Sequence, residues 1–169
     1  MWVGILGLGH AYKFDKTAKE MVKKLPQPRL SKGVGPEDLK KASAHLIGIL
    51  ELLHKSNVGS GPTPESVLHR AYFLIDTRGY MERTVTTGAL LRAYRDAEAM
   101  GLFDKDSRKF GLRITRGVDA GKDAVFEHIV PPDKAPYFSD FYGNVRIVHP
   151  SRQRAADAEF STRDQANLD

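Results

Sequence analysis

A carboxylate and an imidazole stand side by side within an apolar run near the C-terminal end of the sequence. Glu127 and His128 lie inside the strand-like segment 125–131, which ends at Pro131. Ionisable side chains in an apolar segment need a partner or a function, because burying an unpaired charge is costly. An imidazole titrates near neutral pH, and a carboxylate can bind a cation or accept a proton. This pair is therefore the first candidate for chemistry in the chain.

A second polar pair brackets the next apolar segment. Asn144 precedes and His149 follows the run 145–148, which carries Arg146 and lies beyond a loop rich in aromatic residues. Successive side chains of a strand point to opposite faces, so Glu127 and His128 can share one site only if the first strand ends or bends between them. The adjacent prolines at 131 and 132 favour such an ending. Otherwise Glu127 faces solvent, and His128 is a partly buried histidine with a satisfied side chain.

Hydrophobic periodicity predicts helices in the first two thirds of the chain and strands in the last third. Helices are predicted over Asp15–Leu25, over Leu39–His54 with a first turn at 36–38, from a Thr63 cap to about Thr77, and over Thr86–Met100. A hairpin is predicted over Lys109–Val130, with a third strand over Gly143–His149. The predicted fold class is α+β, with N-terminal helices packed on a small antiparallel sheet near the C-terminus.

The predicted domain organisation follows from these elements. Residues 1–35 read as an N-terminal arm and linker, and residues 36–169 read as a single α+β domain. Within that domain, residues 36–103 are helical, residues 109–150 are rich in strands, and residues 151–169 form a polar tail.

The segment Glu127-His128-Ile129-Val130-Pro131 resembles the first strand of the ββα-metal (HNH) endonuclease motif. The resemblance covers only the C-terminal part of the chain. It implies a nuclease in which His128 is the general base that activates water, Glu127 is a metal ligand and Asn144 fixes the His128 loop. The family's last ligand falls near Arg152, so His149 would have to replace it. The implied cofactor is a divalent metal, Mg²⁺ or Mn²⁺, which stabilises charge during phosphodiester hydrolysis.

Composition limits the chemistry and points to a class of partner. The chain has no cysteine, which excludes disulfides and thiolate chemistry, so a metal site must use His, Asp, Glu or Asn. The 26 Lys and Arg residues outnumber the 21 Asp and Glu residues and give a net charge of +5. This balance favours polyanions, so DNA or RNA is the expected partner. We expect a cytoplasmic protein without a membrane partner, and the pattern leaves a homo-oligomer or a protein partner open.

A second interpretation is a DNA-binding protein without catalysis. The helix Thr86–Met100, followed by Gly-Leu-Phe and the basic hairpin, looks like the recognition helix and wing of a winged-helix domain. Two arginines of the helix would face a groove, and three basic residues of the hairpin would contact phosphates. The preceding helix would have to fit into residues 79–85, which is too short for it. The predicted nucleic-acid-binding residues, including one on the last strand, are Arg92, Arg95, Arg113, Arg116, Lys122 and Arg146.

Two further interpretations stay open. His128 and His149, with an arginine such as Arg113, Arg116 or Arg146 nearby, could cleave RNA through its 2′-hydroxyl without a metal, as in small toxin-like RNases. The chain could also be a structural or assembly protein without a catalytic site. The aromatic residues Tyr137, Phe138, Phe141 and Tyr142 could stack on unpaired bases, although such a cluster more often packs on the core.

Overall fold

The computed structural model describes residues 16–25, 35, 37–56, 63–75 and 80–153. Helix α1 covers residues 16–24, α2 Glu37–Ser56, α3 Pro64–Ile75 and α4 Tyr80–Met100. Strands β1, Val125–His128, and β2, Val145–Val148, follow the helices. Helices therefore come first and strands last, which confirms the predicted α+β class.

Local sequence signals account for two helix ends that the structure describes. Thr63 Oγ1 accepts a hydrogen bond from the Ser66 backbone N–H at 3.2 Å, which caps α3 as predicted. Helix α4 ends in a Schellman motif, because Leu102 N–H donates to the Ala97 carbonyl and Gly101 has φ +69°.

The start of α4 differs from the prediction. We expected the helix to begin at Thr86 or Thr87, whereas it begins at Tyr80. The run 84–87 contains three threonines and a valine, which are weak helix formers, yet the helix includes them, since local propensity is only a weak guide to where a helix begins. As a consequence, α3 directly precedes α4, and residues 79–85 do not have to accommodate a separate helix.

One hydrophobic core joins the helices to the sheet. Helices α2, α3 and α4 contact one another, and α2 and α4 also contact β2. The alternate residues Val145 and Ile147 of β2 point into this core and are 1% exposed. The largest fully buried side chains of the helices are Met21, Leu46, Ile49, Leu50, Leu53, Leu68 and Leu90.

Helix α1 belongs to the same core. Met21 and Leu25 lie in the hydrophobic cluster of the helices and sheet, so residues 16–25 are packed rather than forming an arm. The remainder of the predicted arm and linker, residues 1–15, 26–34 and 36, lies outside the described residues, as does the predicted tail from residue 154 onward. The domain boundary after residue 35 stays a prediction.

The sheet is smaller than the predicted three strands. Within the described ranges it consists of β1 and β2 in antiparallel pairing, with Glu127 opposite Arg146 and His128 opposite Val145. Residues 109–124 form only isolated bridges, Phe103 with Phe110 and Arg113 with Asp123. Three glycines interrupt this segment, at positions 111, 117 and 121, and the last two have positive φ. Glycines in these conformations favour turns over a continuous strand.

Candidate functional site

Glu127 and His128 face opposite sides of the sheet. The regular pairing of β1 places His128 beside Val145, on the face that points to the core, and Glu127 beside Arg146 on the other face. Arg146 Nε donates a hydrogen bond to Glu127 Oε1, and the Glu127 side chain is only 11% exposed. The strand neither ends nor bends between the two residues, so they do not share one site as the nuclease interpretation required.

His128 is held by the loop between the two strands. Its Nε2 lies 2.7 Å from the carbonyl oxygen of Ser139, and a carbonyl only accepts, so this nitrogen carries the proton. Ser139 is fully buried, and its hydroxyl lies 2.6 Å from Asp38 Oδ2 at the start of α2. The imidazole therefore takes part in anchoring the loop to the helices.

The Asn144 side chain forms hydrogen bonds with the backbone that follows β1. Its Oδ1 accepts the Val130 N–H at 2.8 Å, and its Nδ2 donates to the Val130 carbonyl at 3.1 Å and to the Phe138 carbonyl at 3.3 Å. The side chain thus fixes the segment two residues after His128. The catalytic role implied for Asn144 stays a prediction.

His149 faces a buried carboxylate. Its Nδ1 is 3.4 Å from Asp119 Oδ2, although the two atoms are not aligned for a hydrogen bond. Asp119 is 1% exposed and accepts hydrogen bonds from the Ser151 hydroxyl at 2.6 Å and the Ser151 N–H at 3.3 Å. The Ser151 hydroxyl lowers the pKa of Asp119. Without a hydrogen bond, Asp119 does not fix which ring nitrogen of His149 carries the proton.

The predicted metal ligands are not brought together. His149 follows β2 and lies three positions beyond Arg146, the partner of Glu127. At the rise of a strand, three positions correspond to roughly 10 Å. Glu127 is also bonded to Arg146, and the described residues contain no group of three or more His, Asp or Glu side chains that could hold a metal ion. These residues do not fit the divalent cation that the HNH resemblance implies.

Asp96 is half-buried on α4, a helix that contacts β2. Burial raises the pKa of Asp96, and Arg92, Arg146 and His149 are close enough to oppose this shift by electrostatic attraction. Asp96 and Arg92 are four residues apart on α4, which places them on the same side of the helix. We call these four residues the Asp96 cluster. The cluster includes two of the predicted nucleic-acid-binding arginines and one of the predicted active-site histidines.

The exposed face of α4 continues from this cluster. Arg92 and Arg95 are exposed, and so are the small residues Gly88 and Ala99. Their spacing of four, three and four residues places all of them along one stripe of the helix. We call these four residues the α4 stripe. Arg116 lies at the end of the helix, where its Cγ would be 3.3 Å from a Cβ at Gly101.

The other basic residues of the predicted hairpin are exposed but paired. Arg113 Nε lies 3.3 Å from Asp123 and Nη1 donates to the Gly121 carbonyl, while Lys122 Nζ lies 3.5 Å from Asp119. The Arg113–Asp123 pair is exposed on both sides, so it is weak and can exchange for phosphate contacts. Lys122 and His149 share the carboxylate of Asp119, so Lys122 lies close to His149, whereas Arg113 pairs with Asp123.

The aromatic loop packs inward. Tyr142 is 3% exposed, and its hydroxyl lies 3.2 Å from the Tyr72 hydroxyl. The rings of Phe141 and Tyr142 are in contact, with a centroid distance of 4.4 Å. Phe138 contacts Phe141, and the side chain of Tyr137 lies outside the described residues. Tyr142 and Phe141 therefore contribute to packing rather than to stacking on bases.

Sequence reasoning missed the acidic members of the site. Asp96 was hidden within an amphipathic helix pattern, and Asp119 within a glycine-rich turn. Neither lies near Arg146 or His149 in the sequence, so only the packing of α4 and of the turn against β2 reveals them. A local signal in the sequence is that Asp119 stands between Gly117 and Gly121, which indicate a turn. Both glycines have positive φ in the structure.

No helix within the described ranges is long and apolar enough to span a membrane. Comparison of the chain with family models, with curated proteins and with solved structures found no match. The HNH resemblance consequently stays a prediction, and the function has to be argued from the site itself.

Proposed function

We propose that the protein binds nucleic acid through phosphate contacts made by the α4 stripe and the Asp96 cluster. The observation that carries the proposal is the exposure of Arg92 and Arg95 on one face of α4, the helix that packs on β2. Arginine offers a planar set of donors that matches phosphate oxygens.

Small residues make this face suitable for a phosphate backbone. Gly88 and Ala99 flank the two arginines, and a Cβ at Gly88 would meet nothing within 4 Å. Without bulky neighbours, a nucleic acid backbone can approach the helix closely. At 1.5 Å per residue, the stripe from residue 88 to residue 99 extends about 16 Å, enough to follow several phosphates.

Two acidic side chains close to this region are withdrawn from the surface. Glu127 is 11% exposed and bonded to Arg146, and Asp119 is 1% exposed. Glu98 is exposed on α4 three residues after Arg95, so it places one negative charge beside the two arginines. The stripe itself therefore presents positive charge, which agrees with the net charge of +5 and with a polyanionic partner.

Fluorescence anisotropy with labelled DNA and RNA oligonucleotides of one sequence tests the proposal. The double variant Arg92→Ala/Arg95→Ala should bind at least about tenfold more weakly, because it lacks two guanidinium groups that bind phosphate. The matched control is Lys40→Ala/Lys41→Ala, which removes the same charge from exposed residues of α2. Those lysines follow Asp38, which contacts the loop at the opposite end of the sheet from His149. Equal binding by the two double variants would contradict the proposal.

A further inference from the structure

We propose that the turn at residues 117–121 contacts double-stranded DNA and that its exposed Val118 enters the minor groove. This inference rests on the proposed nucleic-acid binding and names duplex DNA as the partner. We call residues 117–121 the Val118 turn. It is a second contact, separate from the α4 stripe.

The Val118 turn exposes a large apolar side chain. Val118 is 87% exposed, whereas Leu112, the other exposed large hydrophobic residue within the described ranges, is 40% exposed. A single exposed apolar side chain on a protein surface is common. On a rigid projection, however, such a side chain can meet a partner with little loss of conformational freedom. The rigidity of the turn therefore decides whether Val118 can act as a contact.

Backbone hydrogen bonds hold the turn in one conformation. Ala120 N–H donates to the Gly117 carbonyl at 3.2 Å, and Gly121 N–H donates to the Ile114 carbonyl at 2.8 Å. Gly117 and Gly121 have φ +92° and +91°, conformations that glycine adopts readily. Ile114 is 0% exposed, so the turn projects directly from the core.

Asp119 anchors the turn from its inner side. Its side chain is 1% exposed and accepts hydrogen bonds from the Ser151 hydroxyl at 2.6 Å and from the Ser151 N–H at 3.3 Å. Lys122 N–H donates to the Asp119 carbonyl at 3.0 Å. Because Asp119 is fixed on the inner side, the neighbouring Val118 is held on the outer side.

Exposed basic residues stand on both sides of the apolar tip. Arg116 precedes the turn and Lys122 follows it. Lys122 Nζ lies 3.5 Å from Asp119, but the lysine side chain is 66% exposed. The exposed carboxylate of Asp123 pairs with Arg113 at 3.3 Å. An apolar tip between two cations complements a groove bordered by phosphates, because the cations can bind the two backbones while the valine contacts sugars and base edges.

The shape of the tip fits the minor groove of B-form DNA. Around Val118, the exposed residues Gly117, Ala120 and Gly121 add one methyl group in all. The minor groove is about 6 Å wide and about 7.5 Å deep, so it admits a narrow projection. The minor groove of A-form RNA is wide and shallow and gives such a tip fewer contacts. A membrane surface is a poorer partner, because binding to it requires a broad apolar face.

The base of the turn is attached to the end of α4. Thr115 N–H donates to the Met100 carbonyl at 2.9 Å, and Thr115 Oγ1 donates to the Gly101 carbonyl at 3.0 Å. Val118 lies three residues beyond Thr115, a separation of at most roughly 10 Å. The α4 stripe ends at Ala99, next to Met100. The tip and the stripe are therefore close enough to contact one duplex.

Fluorescence anisotropy with the purified full chain tests the inference. The probes are a labelled A·T-rich DNA duplex, one of its single strands and an RNA duplex of the same sequence. We expect the wild type to bind the DNA duplex most tightly. Val118→Ser should weaken binding of the DNA duplex by about tenfold, because serine lacks the apolar contact, and should leave binding of the single strand unchanged.

Netropsin, a small molecule that occupies the minor groove of A·T-rich DNA, provides a second readout. It should weaken binding of the duplex by the wild type. It should have little further effect on Val118→Ser, since the ligand and the substitution remove the same contact.

Two variants serve as controls, and thermal melting of each variant identifies loss of folding. Val118→Ile keeps an apolar side chain at the tip and should bind the DNA duplex as the wild type does. Leu112→Ser removes the other exposed apolar side chain of the segment and should also bind as the wild type does.

Unchanged duplex binding by folded Val118→Ser would overturn this inference, and if Arg92→Ala/Arg95→Ala still weakens binding, the proposed function stands. Equal weakening for duplex and single strand, or RNA duplex bound as tightly as DNA duplex, would also overturn the inference. Vesicles of phosphatidylcholine and phosphatidylserine test the alternative surface. Val118-dependent binding to these vesicles, with DNA binding unaffected by Val118→Ser, would replace DNA by a membrane as the partner of the turn. Absence of binding to any nucleic acid would remove both this inference and the proposed function.

Discussion

At the scale of single residues, Asn144 has the clearest structural task. Its amide satisfies both the N–H and the carbonyl of Val130 and a carbonyl of Phe138, in a buried environment. We predict that Asn144→Ala lowers the free energy of unfolding by about 2 to 4 kcal/mol, because buried backbone groups are left without their partners. Urea denaturation measures this change. Asn144→Asp keeps the acceptor for the Val130 N–H but sets its second carboxylate oxygen against the Val130 and Phe138 carbonyls, so at neutral pH it should destabilise the fold at least as much as Asn144→Ala. A decrease below about 0.5 kcal/mol for Asn144→Ala would contradict the assignment.

His54 makes stability depend on pH. It stacks on Phe103 at a centroid distance of 4.2 Å, and its Nδ1 lies 3.1 Å from the Tyr94 hydroxyl. Burial lowers the pKa of His54 below 6.5; Glu98 opposes this shift and Arg108 adds to it. The folded chain therefore takes up this proton at lower pH than the unfolded chain, and stability is lost as pH falls below 6.5 toward the folded pKa.

We predict that the free energy of unfolding decreases between pH 7.5 and pH 5.5 by a smaller amount in His54→Gln than in the wild type, because the variant lacks the group whose pKa differs between the two states. Urea denaturation at both pH values measures the difference. His69→Gln, at an exposed position of α3, should retain the wild-type dependence. An unchanged dependence in His54→Gln would show that other groups cause it.

Residue types indicated candidate side chains more reliably than they indicated which of these side chains lie close together. The chain places Glu127 and His128 next to each other, but strand pairing turns them to opposite faces. Arg92, Arg146 and His149 were each predicted as candidates, yet their relative placement depends on how α4 packs beside β2. Residue type identifies groups capable of chemistry, whereas tertiary packing decides which groups meet.

At the scale of elements, Gly88 lies within α4 and Gly101 at its C-terminal end. Replacing each by alanine is expected to change the free energy of unfolding in opposite directions. Gly88 is exposed within the helix, and an added Cβ would meet nothing within 4 Å. Gly101 ends the helix with φ +69°, and an added Cβ would collide with Thr115 Oγ1.

We predict that Gly88→Ala raises the free energy of unfolding by about 0.5 to 1 kcal/mol, since alanine is the better helix former. Gly101→Ala should lower it by at least about 1 to 2 kcal/mol, the usual cost of a left-handed conformation with a Cβ. Chemical denaturation of the two variants measures both changes. Destabilisation of equal size by both substitutions would contradict the placement of the helix end.

Elements with strong local signals were predicted well, and those that depend on partners were not. Helix α2 has apolar residues at helical spacing and acidic residues in its first turn, and it extends over Glu37–Ser56 as the pattern indicates. The alternating pattern at 110–114 also predicted a strand, but glycines and the pairing of β1 with β2 left only isolated bridges there. Alternation alone does not provide a strand with a partner.

At the scale of the whole molecule, the apolar core and the exposed basic side chains occupy different parts of the structure. The apolar faces of the helices and of β2 meet in one core, while Arg92 and Arg95 are exposed along α4. Net charge can be counted from the residues alone, but its distribution follows from the order in which helices and strands pack. Nucleic-acid binding by the α4 stripe is the central claim that results.

The salt dependence of oligonucleotide binding tests this claim most directly. The logarithm of the association constant should fall linearly with the logarithm of salt concentration, because binding to phosphates releases counterions. For Arg92→Ala/Arg95→Ala, the slope should decrease in magnitude by about 0.7 to 0.9 for each phosphate that the variant no longer neutralises. For Lys40→Ala/Lys41→Ala, the slope should stay at the wild-type value. A slope that is the same in the wild type and the arginine variant, or binding that does not depend on salt, would contradict the account.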